Sequence, residues 1–483
     1  MHPDQNKAPI FEAAMKYAEL RPAYFCVPGH RYENGPGSLL KEYAGDNIFK
    51  IDITETRITD DLHAPSGAIK EAQELAAELW GADQTYFLVN GSTCGNQAMV
   101  LSSAGPGEKI IAAANSHRSV YSALILSGAE PVYIMPEYIE DWGIQGGISP
   151  AEAEKLFEAN PDCKALLVTS PDYYGIISDI HALAEVCHRH GAMLLVDEAH
   201  GPHCRFSKEL GGGAVANGAD MCVQSLHKTG GALTQSSLLH IKSDLADTDR
   251  VRKNLQIVQS SSPSYILLNS IDTARRDLAL HGEEMVSSAL ALAETARKEI
   301  NAIAGMRCAG KELEGHDAVC RLDMTRLIVS AAELGITGYD LKDILFEDYN
   351  IEVEMADRNN IVAIITYANS PEDIELLASA LRKIAEQADG KPLPRITDLP
   401  RQASCAVAPR DAYFAKKKTV PFAQAQGRIS GEMIYIYPPG IPLIRPGETI
   451  STDILAYLKQ AGQSGAQIQG MTDETLETLT VID

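Results

Sequence analysis

Ser225-Leu226-His227-Lys228-Thr229-Gly230-Gly231 sets a lysine between a histidine and a glycine-rich bend. The lysine lies 31 residues beyond the acid that ends the apolar run Leu194-Leu195-Val196-Asp197, itself followed by Glu198-Ala199-His200. That interval has room for one helix and one strand, so Asp197 and Lys228 are expected at the ends of neighbouring strands. An amine and a carboxylate so placed suit an aldehyde cofactor with a basic pyridine ring. The amine forms the Schiff base, and the carboxylate keeps the ring nitrogen protonated, which makes the ring an electron sink. The pair points to pyridoxal 5'-phosphate (PLP). A strand-end acid can also bind Mg²⁺ in nucleotide enzymes, but no phosphate-loop lysine or second acid motif accompanies Asp197, and no metal site is expected.

Outward from this pair, apolar runs alternate with helical patterns. Tyr86–Val89, Ile110–Ala113, Val132–Ile134, Ala165–Val168, Met193–Val196 and Met221–Val223 are expected strands, several without polar alternation. Such runs belong to a parallel sheet covered on both faces. Ile69, Ala72, Leu75, Ala76 and Leu79 recur at helical spacing between Pro65 and Gly81. The expected fold is α/β, with a mostly parallel central sheet, a smaller α+β domain and a C-terminal domain. The expected segments are an N-terminal turn-rich arm (1–45), a PLP-binding major domain (46–300), a small domain (301–389), a proline-spaced linker (390–400) and a C-terminal domain (401–483). A long helix from Met285 to Ile303 leads into the small domain. Its strands are expected at Val319–Asp323, Arg326–Val329 and Asn360–Ile365.

Two further stretches suit the cofactor. Asn90-Gly91-Ser92-Thr93-Cys94-Gly95-Asn96 follows a strand and opens a helix. The turn at Gly91, the hydroxyls of Ser92 and Thr93 and free amides at the positive helix end can surround a phosphate. Glycine-serine turns are common at such junctions, so this one gains weight from its place ahead of Asp197 and Lys228. His117, after the strand at Ile110, can lie flat on a pyridine ring; the alternative is a surface histidine capping the helix that begins near Val120. Ala199 is small enough to admit the ring. His200 lies next to it in sequence, and Ser225 and His227 flank the lysine, the histidine suited to moving protons near Cα.

The bulk composition sets limits. A formal charge of −23, from 65 acids and 42 bases, disfavours nucleic acid and anionic membrane as partners. No apolar run approaches membrane-spanning length, and the N-terminus lacks the apolar core of a cleaved signal. Nine cysteines, an odd number without a C-x-x-C pair, suit reduced cytoplasmic thiols.

Taken in order, the motifs resemble the Orn/Lys/Arg decarboxylases of the aspartate-aminotransferase-like (fold type I) PLP superfamily, in their short bacterial arginine decarboxylase-like branch. Phe25 to His30 is similar to the family's F-x-x-P-G-H, and Asp60 to Pro65 to its D-D-L-H-x-P. Val196 to His200 is similar to V-D-E-A-H and Ser225 to Lys228 to S-x-H-K. Gly427 to Ile429, Tyr437 to Pro442 and Pro446 to Glu448 resemble G-R-I, Y-P-P-G-I-P and P-G-E. The resemblance implies Lys228 as Schiff-base lysine, Asp197 as ring-nitrogen partner, His117 as stacking residue, and Ser92 and Thr93 as phosphate ligands. It implies α-decarboxylation of a basic L-amino acid, arginine first, to agmatine and CO₂ in polyamine biosynthesis; lysine and ornithine stay open. An aminotransferase or lyase on the same fold, or a PLP-binding protein without turnover, are the alternatives. Glu432 is the candidate partner for the substrate's distal cation. The sequence departs from the family pattern at Arg118 and Arg445. With P-G-H near residue 28, a short form without the wing domain is expected, acting as a homodimer or higher homo-oligomer.

Overall fold

The computed structural model describes residues 4–31, 39–388, 390–394, 404–436, 441–463 and 467–483. Tyr32, the 395–400 part of the expected linker and Tyr437–Gly440 of the proline-rich motif lie outside the described residues. The chain forms two compact units, Met1–Ser103 with Met193–Glu284, and Ala104–Ala192 with Met285–Asp483.

In the first unit four strands lie in the order Gln84–Leu88, Ser237–Ile241, Met221–Gln224, Met193–Asp197. The last two are parallel, with Asp197 opposite Val223. Ser237–Ile241 is antiparallel to both of its neighbours. Every residue of Met221–Gln224 and Ser237–Ile241 is buried, as in a sheet covered on both faces. Helix Ala68–Trp80 buries Ile69, Ala72, Leu75 and Ala76 and stops at Gly81 in the left-handed conformation. Helix Gly91–Ser103 lies closer still. A Cβ on Gly95 would sit 2.4 Å from Val223 Cγ2, so only glycine lets this helix close on the strand beneath it. The expected N-terminal arm contains a helix, Pro9–Leu20, whose first amides at Ile10 and Phe11 donate to Asp272 Oδ2.

In the second unit Ala165–Thr169, Lys109–Ala113 and Glu130–Ile134 are consecutive parallel strands. A smaller antiparallel sheet has the order Arg307–Cys308, Arg326–Ser330, Asn360–Ile364, Met355–Ala356. Leu327, Val329 and Ile361 of this sheet share a core with Leu341 of helix Gly338–Tyr349 and Leu381 of helix Pro371–Gln387. The C-terminal segment pairs Lys417–Pro421 with Thr478–Ile482, and Ile434–Ile436 with both Ile441–Ile444 and Ile468–Gln469. Ile434, Ile454, Leu458, Leu479 and Val481 form its own core.

The expected fold class holds, and each of the six expected major-domain strands is present. Strand Ser237–Ile241 was not foreseen, because its leading serine, with Ser236 and the glycine-rich stretch before it, disguises the short apolar run. The helix expected from Met285 begins at Tyr265 and ends at Asn301.

Candidate active site

Strand Met193–Asp197 carries its terminal acid into the interior, where Asp197 is 2% exposed. Asn96 Nδ2 donates to Oδ2 at 2.8 Å and Ala199 N donates to Oδ1 at 3.1 Å. Both donors are neutral. A buried carboxylate held this way keeps a strong demand for a positive group. Asn96 reaches it from helix Gly91–Ser103, whose approach Gly95 permits.

The next strand, Met221–Gln224, leads through Ser225 into the short helix Leu226–Thr229, which carries Lys228. Lys228 Nζ lies 2.8 Å from His200 Nε2. His227 directs Nδ1 to the carbonyl of Ser236 at 3.0 Å; an oxygen acceptor there places a proton on Nδ1. Ser92 Oγ lies 2.8 Å from Ser225 Oγ and 3.1 Å from Ser237 Oγ. Three hydroxyls therefore converge beside the N-terminal turn of a 13-residue helix, where backbone amides and the helix dipole favour an anion. Gly91 opens that turn with φ of +72°. Thr93 is exposed and does not join the cluster.

Glu198, next to Asp197, belongs to a different network. It accepts from Ala214 N at 2.8 Å, Gln224 Nε2 at 2.7 Å and Cys222 Sγ at 3.2 Å. Gln224 Oε1 in turn faces His240 Nε2 at 3.2 Å, and His240 Nδ1 faces Thr85 Oγ1 at 2.8 Å. Burial pushes Glu198 up to about 7 and His240 down to about 3.

His117 lies in the second unit, at the N-terminus of helix Arg118–Ser127. Its Nδ1 caps the helix, accepting from Ser119 N at 3.2 Å. Glu432 is buried in the C-terminal segment with both oxygens engaged: Oε1 accepts from Thr472 N at 2.7 Å and Oε2 from Thr480 N at 2.9 Å. Its carboxylate thus ties the C-terminal strands together.

The first unit by itself brings together Gly91, Ser92, Asp197, Ala199, His200, Ser225, His227 and Lys228. It adds Ser237 and Asn96, whose roles sequence reasoning missed. Asn96 falls within the quoted turn motif, but its aim at Asp197 depends on helix packing; Ser237 belongs to the unforeseen strand. The donor set fits PLP: a hydroxyl cluster for the phosphate, a buried acid for a ring nitrogen and a primary amine for the aldehyde. Among the described residues no group of three or more His, Cys, Asp or Glu side chains is placed to hold a metal ion, and no helix is long and apolar enough to cross a membrane.

The structure resembles that of the Francisella novicida lysine decarboxylase with a TM-score of 0.86 at 22% identity, over 99% of this chain and 81% of that one. This likeness establishes the fold. The Orn/Lys/Arg decarboxylase major domain matches residues 8–373, and the C-terminal domain of the same family matches residues 394–477. An arginine decarboxylase of Halalkalibacterium halodurans is 42% identical over 481 residues, 99% of this chain and 98% of that protein. One of Bacillus subtilis is 40% identical over the same shares. The chain belongs to the Orn/Lys/Arg decarboxylase family, and it is a decarboxylase.

Proposed function

We propose that the protein removes the α-carboxylate of a basic L-amino acid, arginine first, giving agmatine and CO₂ with PLP as cofactor, in polyamine biosynthesis. The observation that carries this reading is the convergence of Lys228, buried Asp197 and the three-serine cluster within one compact unit. Arginine is favoured over lysine because the relatives named for arginine align over nearly all of both chains.

Bound PLP supplies a sink for the electron pair released when the bond between Cα and the carboxylate breaks. The chain's own groups do the rest. Ser92, Ser225 and Ser237 and the helix amides hold the phosphate. Asp197, oriented by Asn96 and Ala199, keeps a proton on the ring nitrogen. The family resemblance gives His117 the role of stacking residue. Lys228 Nζ would hold the cofactor's aldehyde carbon and supply a proton at the substrate's Cα, with His200 Nε2, 2.8 Å away, steadying the amine. His227, the residue before Lys228, would be a second proton donor. Leaving the departing carboxylate without a cationic clamp favours its loss.

The working unit is proposed as a cytoplasmic homodimer. Phe25 and Tyr43 are 88% and 94% exposed, with Val27, Leu39 and Leu40 also exposed, and a second copy would cover such a segment. All nine cysteines are free thiols, which suits a reducing compartment.

The deciding experiment supplies PLP-loaded protein with arginine, lysine and ornithine separately and identifies amine products by mass. Agmatine and CO₂ are expected, with kcat/KM for arginine about tenfold or more above the others. Keto acid in place of amine, or no product from any of the three, overturns the reading. Borohydride fixing followed by peptide mapping should label Lys228 alone.

A further inference from the structure

The turn that follows Asp197 is fixed to the scaffold on one side and to the helix of Lys228 on the other, all within the first unit. On the scaffold side Arg205 Nε donates at 3.0 Å to the carbonyl of Leu79, near the end of helix Ala68–Trp80, where a helix offers unpaired carbonyls. The Phe206 ring meets Trp80 edge-on, with centroids 5.8 Å apart. It packs so closely on Gly282 that a Cβ there would sit 2.5 Å from Phe206 Cδ1. On the other side two histidines of the same turn reach consecutive residues. His200 Nε2 lies 2.8 Å from Lys228 Nζ, and His203 Nδ1 lies 3.0 Å from Thr229 Oγ1. His200, His203 and Thr229 are all buried.

The need for such an anchor follows from the helix itself. Leu226–Thr229 is a single turn, too short to hold its shape by its own hydrogen bonds. Leu226 is buried at its start, and Gly230 closes on it at the other end, where a Cβ would sit 2.5 Å from Leu226 Cδ1. These apolar contacts set how deep the turn lies and define its rotation less well, because they have no direction. A hydrogen bond has one. The bond between His203 and Thr229 acts on the residue beside Lys228 and so fixes the rotation that aims the lysine. The lysine side chain is a flexible stem, and a small rotation at its base moves the amine by more at its tip.

We propose that His203, acting through Thr229, is a positioning residue for Lys228, so that one turn sets both the aim of the amine and its distance from His200. This deepens the reading of Lys228 as the residue that holds PLP and rests on it. Neither His203 nor Thr229 touches the reacting atoms in this role; the effect passes through the helix.

The test uses the full-length PLP-loaded protein. Thr229→Val removes the hydroxyl at nearly constant shape. His203→Leu breaks the same bond from the other side, so the test stands if one of the two fails to fold. Thr229→Ser keeps the hydroxyl, and His203→Asn keeps a hydrogen-bonding group near the place of Nδ1. Visible circular dichroism of the bound cofactor reports its orientation in the folded, loaded fraction alone. Thr229→Val and His203→Leu are each expected to change that signal and to lower kcat about ten- to a hundredfold, with KM within about twofold. Thr229→Ser and His203→Asn should recover most of both. Because the two residues act through one bond, combining Thr229→Val with His203→Leu should cost no more than the worse of the two alone. Full additivity, a loss confined to KM, or unchanged dichroism and kcat in variants that fold and bind PLP would overturn the proposal. Borohydride fixing of the unaltered protein separates the two layers. If it labels Lys228 while the variants behave as the parent does, the positioning role fails alone; if it labels another residue, the reading of Lys228 fails with it.

Discussion

Asp197 and Glu448 are both buried carboxylates, and their surroundings differ in the way that separates a site from a brace. Among the described residues Asp197 accepts hydrogen bonds from an amide side chain and a backbone N–H, both neutral. Glu448 has a guanidinium at 3.0 Å and accepts from Arg445 N at 2.8 Å. In the brace, opposite charges meet inside the fold, so its electrostatics are complete within the chain. In the site, the acid is oriented by neutral groups. A fold that buries an acid this way gives up stability for a demand that a cationic ligand group can meet.

The largest effect is expected at the first acid. Asp197→Asn keeps the shape and the hydrogen-bonding size of the side chain but removes the charge, and kcat should fall by about 10²- to 10⁴-fold in a protein that still folds. Steady-state kinetics beside a denaturation curve checks both parts. Retained kcat would mean that the charge at 197 has no electronic task.

Glu448→Gln breaks the brace. It strands the buried Arg445 charge and should cost about 3–5 kcal/mol in urea unfolding, without a selective loss of PLP affinity in the folded protein. A neutral outcome would place the two acids in one class after all.

Glu198 supplies a graded version of the same contrast. Its burial raises it from 4.5 to about 7, so the folded state binds its proton more tightly than the unfolded chain does. The stability this group contributes is fully present below pH 4.5 and is lost as pH rises through about 7, to the extent of about 3 kcal/mol. His240 acts in the opposite sense: lowered from 6.5 to about 3, it favours the fold above 6.5 and loses that contribution as pH falls toward 3. Glu198→Gln should flatten the decline between pH 5 and pH 8 in denaturation midpoints. An identical slope in the variant would assign the decline to other groups.

The smallest expected effect is at Glu432. Removing its charge weakens the bonds from Thr472 N and Thr480 N and should cost about 1–2 kcal/mol, with KM for arginine unchanged. A large rise in KM would return Glu432 to the role of partner for the substrate's distal cation.

Much of the site was legible in the sequence because its signals are local. Asp197 closes an apolar run, Lys228 sits in a glycine-bounded helix of one turn, and Ser92 follows the glycine that turns a strand into a helix. Gly95 looked like part of a phosphate turn, yet its contact with Val223 gives it a packing role as well. Ser237 was hidden because it is the polar first residue of an antiparallel strand. Arg445, noted only as a departure from a family pattern, proved to be the centre of the brace, 331 residues from the carbonyl of Ala114 that it holds.

By itself the sequence determined the kind of sheet, the acid and amine that serve the chemistry, and the family. These follow from apolar runs, turn residues and motifs spanning a few positions each, where side-chain direction is set by strand and helix periods. Only the tertiary structure decided which neutral groups orient Asp197, which hydroxyls join Ser92, and what Arg445 and Glu432 bind. Those partnerships join residues far apart in the chain. They depend on strand register and on how closely one helix approaches a sheet, and no local pattern encodes either.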